Sequence, residues 1–239
     1  MIELPGDLKQ LCEEWADSVV QALPTDPQKS LLPKKAAQQG YAIQLEEVVK
    51  ERIERFSRGV EAIIESLIVL NRENPKEFPD TIFLELDKMA TALPPTLASL
   101  KEGNQSLKEY YGLADGTIDL FYKAANHIFQ DKNYAKASDA LLYLCTLDPA
   151  NGLLWLALGN AEYYGEHYEE ALHFYGIAYI VNEADPRSLL YGAHACEKLG
   201  EKERALEMVK AVLQLCEDEP DLGDVFTIAR QYEEELKSA

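Results

Sequence analysis

The chain has 239 residues, 47% of them hydrophobic, with a formal net charge of −19 and four cysteines. That hydrophobic share is enough for one large or two small cores and argues against wholesale disorder. The negative charge repels phosphate backbones and anionic lipid, which argues against nucleic-acid and membrane-surface roles and suits a basic partner.

Cys12, Cys145, Cys196 and Cys216 form no CxxC pair, so they read as reduced, structural thiols of a cytoplasmic protein. The N-terminus, MIELPGDLKQ, has neither a basic region nor an apolar run, so it does not read as a secretory signal. No apolar stretch approaches the ~18 residues of a membrane helix, so no membrane insertion is expected.

In chain order, Leu4, Leu8, Leu11, Trp15, Val19 and Leu23 step by three and four and predict an amphipathic helix over roughly 7–23. Pro24, Pro27 and Pro33 make 24–35 a linker. A long helix over roughly 36–72 follows, with Val49, Ile53, Phe56, Val60, Ile63, Leu67 and Leu70 in a heptad seam. Ile64 and Ile68 widen the stripe, as contact with more than one neighbour would require. A helix over about 79–93 starts at Pro79 and stops at Pro94-Pro95. Residues 1–93 therefore read as an N-terminal helical unit. Its seam fits either an intramolecular bundle or a homodimer through the N-terminal helices, because both bury the same positions.

Residues 94–117, with two prolines and three glycines, read as a linker and lead-in. Beyond them the sequence repeats every 34 residues. Ala137, Ala171 and Ala205 mark the period. Phe121, Trp155 and Leu189 share a register, as do Ala125, Gly159 and Ala193. Leu141, Tyr175 and Val209 follow, then Leu144, Ala178 and Val212. This spacing and character is that of the tetratricopeptide repeat, a helix–turn–helix unit that buries its apolar face by stacking on its neighbours. The predicted architecture is all-α: three repeats over 118–219 (118–151, 152–185 and 186–219), then a capping helix within 220–239.

No catalytic pattern is present: no HExxH, Walker loop, GxSxG elbow or Gly-rich dinucleotide turn. His167 and His173 are six apart, off the spacing that places two ligands on one helical face. No enzyme activity, metal or cofactor is expected.

The repeat register instead predicts a concave stripe at positions 2, 5, 9, 12 and 13. It falls on Asp119, Tyr122, Asn126, Phe129 and Gln130 in the first repeat, then Leu153, Leu156, Asn160, Tyr163 and Tyr164 in the second. In the third it falls on Arg187, Leu190, His194, Glu197 and Lys198. The candidate partner-binding residues are Tyr122, Asn126, Phe129, Leu156, Asn160, Tyr163, Leu190 and His194. Apolar pockets between amide groups suit an extended peptide. The same residues would also fit plain core, or a face covered by the N-terminal unit. A clamp for acidic peptide tails needs lysines and arginine, and Tyr122 stands where its first lysine would be.

Several strings carry a closer likeness. LKEYYGLAD resembles the lead-in, LFYKAANHIFQDKNYAKA the first repeat and LCTLDP the connection of the SycD/LcrH family, the class II chaperones of bacterial type III secretion. LLWLALGNAEYYGEHYEEALHFYGIAYIVNEADPR resembles that family's second repeat and HACEKLGEKERA its third. The resemblance covers about residues 107–216. It implies a cytoplasmic chaperone that holds a Pro-x-Leu-x-x-Pro-type segment of a secreted translocator in its groove. Tyr122, Phe129, Leu156 and Tyr163 would form the pockets, and dimerisation through N-terminal helices would be common. Family members have only a short N-terminal segment, so residues 1–93 depart from the pattern. An adaptor joining soluble partners is the alternative that the repeats alone would permit.

Overall fold

The computed structural model describes residues 34–77, 82, 85–86, 106–217 and 222–238, with side chains from Lys50 onward except Asp115. The predicted helix over 7–23, the proline segment before Lys34, Cys12 and most of 79–105 lie outside the described residues. Among the described residues all regular structure is helical. The helices are α1 (Lys34–Glu73), α2 (Leu107–Tyr111), α3 (Asp115–Gln130), α4 (Tyr134–Leu147), α5 (Gly152–Tyr164), α6 (Tyr168–Val181), α7 (Arg187–Lys198), α8 (Lys202–Cys216) and α9 (Gly223–Ser238). A 3-10 turn, Pro75–Glu77, follows α1.

The chain forms two compact units, Met1–Ser57 and Arg58–Ala239. In the first unit α1 begins at Lys34, and Ser57 Oγ donates to the Ile53 carbonyl within the helix. The linker expected over 94–117 lies up to residue 105 outside the described residues, and the division falls inside α1. The reason lies at Gly59. A Cβ there would lie 2.3 Å from the carbonyl oxygen of Asp139 and 3.0 Å from Tyr143 Cβ. Glycine thus lets α1 press backbone to backbone on α4. Arg58 Nε donates to Asp139 Oδ2 at 2.6 Å, and Ser66 Oγ donates to the Ala124 carbonyl at 3.0 Å. Ala62, Ile63 and Leu67 are buried, while Ile64 and Ile68, expected to meet a second neighbour, are more than a third exposed. The C-terminal half of α1 is therefore the first layer of the repeat stack.

The three repeats follow as α3/α4, α5/α6 and α7/α8. Ala137, Ala171 and Ala205 are fully buried, as are Ala125 and Ala193 at the facing register. Small residues there allow close helix approach, and the larger Leu141, Tyr175 and Val209 fill the space beside them. Helix starts are set locally. Asn133 accepts from the Lys136 N–H, Asn151 from the Leu153 N–H and Asp185 from the Arg187 N–H.

Each repeat turns between its two helices in the same way. Lys132, Glu166 and Gly200 all have positive φ, at 61°, 66° and 79°. The next N–H in each case reaches back into the preceding helix: Asn133 to Ile128, His167 to Glu162 and Glu201 to Cys196. Only the third turn has the glycine that this conformation favours, so the first two hold a left-handed residue at a cost of about 1–2 kcal/mol each. Buried Glu162 joins the first two repeats: it accepts from Ser138 Oγ at 2.6 Å and lies 2.8 Å from His167 Nδ1.

The last layer is α9. Ala229, Tyr232 and Leu236 are buried against Leu190, Ala193, Cys196, Val209 and Val212. Its outer residues are exposed, as an array end requires.

Candidate functional site

The concave stripe is built by the first helices of successive repeats, whose three-and-four spacing brings successive turns to one face. Four of the eight predicted residues meet in one cleft. Tyr122, Asn126 and Phe129 from α3 line it with Asn160 from α5, over a floor of Leu141 and Ala157. Its water-sized free volume is about 60 Å³, too small for a cofactor and matched to single side chains of an extended chain. Tyr122 and Asn126 are exposed, and Phe129 and Asn160 half-buried. The Tyr175 hydroxyl donates to Asn160 Oδ1 at 2.8 Å, which fixes the carboxamide at the cleft edge.

Leu141 and Ala157 were missed by the sequence reading. Leu141 lies on a second helix, and Ala157 stands one residue after the stripe position at Leu156. The signal available was Ala157 itself, a small residue where its neighbours are large, opening space beside Tyr122.

The other four predicted residues lie elsewhere. Leu156 is only 7% exposed and packs with Ala171, Tyr175, Ala178 and Ala195 between the second and third repeats. Leu190 is 4% exposed, within the core shared with α9. Both were expected in the groove, and the helix next along the stack buries them instead. His194 is half-buried beneath the ring of Tyr232, with centroids 4.1 Å apart. Tyr232 Oη donates to Glu197 Oε2 at 2.8 Å and lies 3.3 Å from the Ala193 carbonyl. The capping helix thus occupies the third repeat's share of the stripe. Burial holds the His194 imidazole below its usual range, partly countered by Glu197 and Glu235. Tyr163 is half-buried beside Tyr164 and Tyr168, next to the cleft rather than in its lining.

A larger depression of about 290 Å³ lies between α1 and the first repeat, lined by Glu65, Ser66, Val69, His127, Asp131 and Lys136 among others. Its lining is mixed, with Ala62, Val69 and Ile128 beside the polar groups, and Lys136 and Glu65 pair at it. It does not coincide with the concave stripe.

Among the described residues no group of three His, Cys, Asp or Glu side chains could hold a metal ion, and no helix is long and apolar enough to cross a membrane. Cys145, Cys196 and Cys216 are free and buried, and burial pushes each thiol upward, away from reactivity.

A stacked helical-repeat array with a small cleft on its concave side defines the class of an all-α helical-repeat protein. The comparisons narrow it. No known family profile matches the chain. Low calcium response locus protein H of Yersinia pseudotuberculosis is 23% identical over 141 residues, covering 59% of this chain and 84% of that protein. The type III secretion translocator chaperone SycD of Yersinia enterocolitica superposes with a TM-score of 0.53 at 21% identity, over 55% of this chain and 98% of its own. PcrH of Pseudomonas aeruginosa, solved with the chaperone binding region of PopD, superposes with a TM-score of 0.50 at 22% identity, over 53% and 96%. The repeat region therefore has the fold of these chaperones, and the SycD/LcrH resemblance read from the sequence is borne out.

Proposed function

We propose that this chain is a type III secretion chaperone. It holds an apolar segment of a translocator or effector client in the concave groove before export, and it acts in the cytoplasm without catalysing a reaction. The observation that carries the reading is the cleft of Tyr122, Asn126, Phe129, Leu141, Ala157 and Asn160. It offers an apolar floor for a leucine-like anchor and two carboxamides for the backbone groups beside it. The Asn160 carbonyl is already committed to Tyr175, so a client carbonyl would meet the Asn160 NH2. The relative and structures named above support the assignment, since PcrH was solved with a chaperone binding region of PopD. Association through the N-terminal helices belongs to the same proposal.

The test uses the full chain and a fluorescent peptide of Pro-x-Leu-x-x-Pro type. Tyr122→Ala combined with Asn126→Ala removes two exposed side chains, so helicity by circular dichroism should be unchanged. Loss of two central contacts should weaken binding about 10-fold or more. Unaltered affinity in an anisotropy titration refutes the groove as the binding surface.

A further inference from the structure

The cleft ends at Phe129, and Phe129 also begins a continuous run of rings. Its centroid lies 5.3 Å from that of Tyr134 and 5.5 Å from that of Tyr164. Tyr134 and Tyr164 stack at 5.6 Å and 28°. Tyr164 meets Tyr163 at 5.6 Å, and Tyr163 meets Tyr168 at 5.4 Å. Four successive helices, α3 to α6, each contribute. A ladder that served only packing would be buried, yet Tyr164 at its centre is 56% exposed. Exposed aromatic surface continuous with a binding cleft is a place for part of the same ligand.

The charge around the ladder says which part. Glu166 sits in the turn just after Tyr164, Glu169 lies in the first turn of α6, and Glu197, one oxygen of which accepts from Tyr232, stands on the neighbouring repeat; all three are exposed. Against these three carboxylates stand two exposed lysines, Lys132 in the turn between Phe129 and Tyr134 and Lys198 next to Glu197, so negative charge is in excess. The Tyr163 hydroxyl is held above its usual range, first by burial and then by Tyr168, Glu197 and Tyr164. Ring faces attract cations, and a planar guanidinium can stack on a ring while its N–H groups reach carboxylates.

We propose that the Phe129–Tyr134–Tyr164–Tyr163–Tyr168 ladder is a subsite for an arginine side chain of the client segment, adjoining the apolar anchor in the cleft. This rests on the proposed function, and it adds a rule for client choice: an apolar anchor with arginine beside it.

The experiment compares two fluorescent Pro-x-Leu-x-x-Pro peptides on the full chain. One carries arginine next to the motif and the other citrulline, which keeps the shape and loses the charge. Each is placed in turn on either side of the motif. On one side arginine should bind about five-fold more tightly at low salt, and the advantage should shrink as salt rises. Tyr164→Leu and Glu197→Gln should each bring the arginine-to-citrulline ratio toward one. Equal binding of both peptides on both sides overturns the subsite while leaving the groove intact. A ratio untouched by Tyr164→Leu also overturns it. Failure of every peptide to bind overturns the proposed function and the subsite together.

Discussion

Gly59→Ala tests whether the second half of α1 is structurally part of the repeat array. Helix propensity alone predicts a gain of about 0.5–1 kcal/mol, because alanine replaces glycine inside a helix. The structure predicts the opposite sign. The new Cβ would lie 2.3 Å from the Asp139 carbonyl oxygen, against an ordinary contact of 3.4 Å or more. The obstacle is backbone, so it cannot swing aside; α1 must retreat by about 1 Å. A gap of that size forfeits a quarter to a half of each dispersion contact across it. Ala62, Ile63 and Leu67 are the buried side chains that would lose contacts. Overpacking of this kind costs about 1–3 kcal/mol, which outweighs the propensity gain. For a chain of this length each kcal/mol moves the melting temperature by about 2–4 °C. Thermal unfolding followed by circular dichroism should therefore show Tm several degrees lower. Gly176→Ala is the control: that glycine is in α6 with nothing within 4 Å of the added carbon, so Tm should rise. If Gly59→Ala also raises Tm, α1 does not cross the first repeat at Gly59 and the layer assignment is wrong.

Two further outcomes are expected. Ala171→Leu should cost about 1–3 kcal/mol in urea denaturation, since Ala171 is fully buried between repeats; an unchanged midpoint would show that the helices do not meet there. For His194, burial lowers the folded-state pKa below its ordinary 6.5, so the unfolded chain binds the proton more readily. Stability is thus intact above about pH 6.5 and declines as pH falls below it. His194→Gln should flatten that decline in Tm between about pH 7 and 5, and an identical pH profile would show that His194 is not covered by Tyr232.

How much of this was legible in the sequence depends on the range over which each residue is constrained. Ala137, Ala171 and Ala205 announce the repeats because a helix crossing demands a small residue whatever its neighbours, and the demand returns every 34 residues. The first repeat's Tyr122, Asn126 and Phe129 were legible for the same reason: register alone puts them on the concave side. Leu190 and His194 were not, because what covers them is α9, whose Tyr232 reaches back to Glu197 and the Ala193 carbonyl. No local pattern encodes that reach. Lys132 and Glu166 hid their turns, since only Gly200 carries the residue that a left-handed backbone favours. Gly59 was legible but passed over. A glycine inside a heptad seam weakens the helix unless something must come close, and here the carbonyl of Asp139 does. Once α1 is taken as the first layer, Tyr122 belongs to the second layer of the stack. The cleft is then walled on both flanks by packed helices, so its shape is set before any client arrives, which lowers the ordering cost of binding.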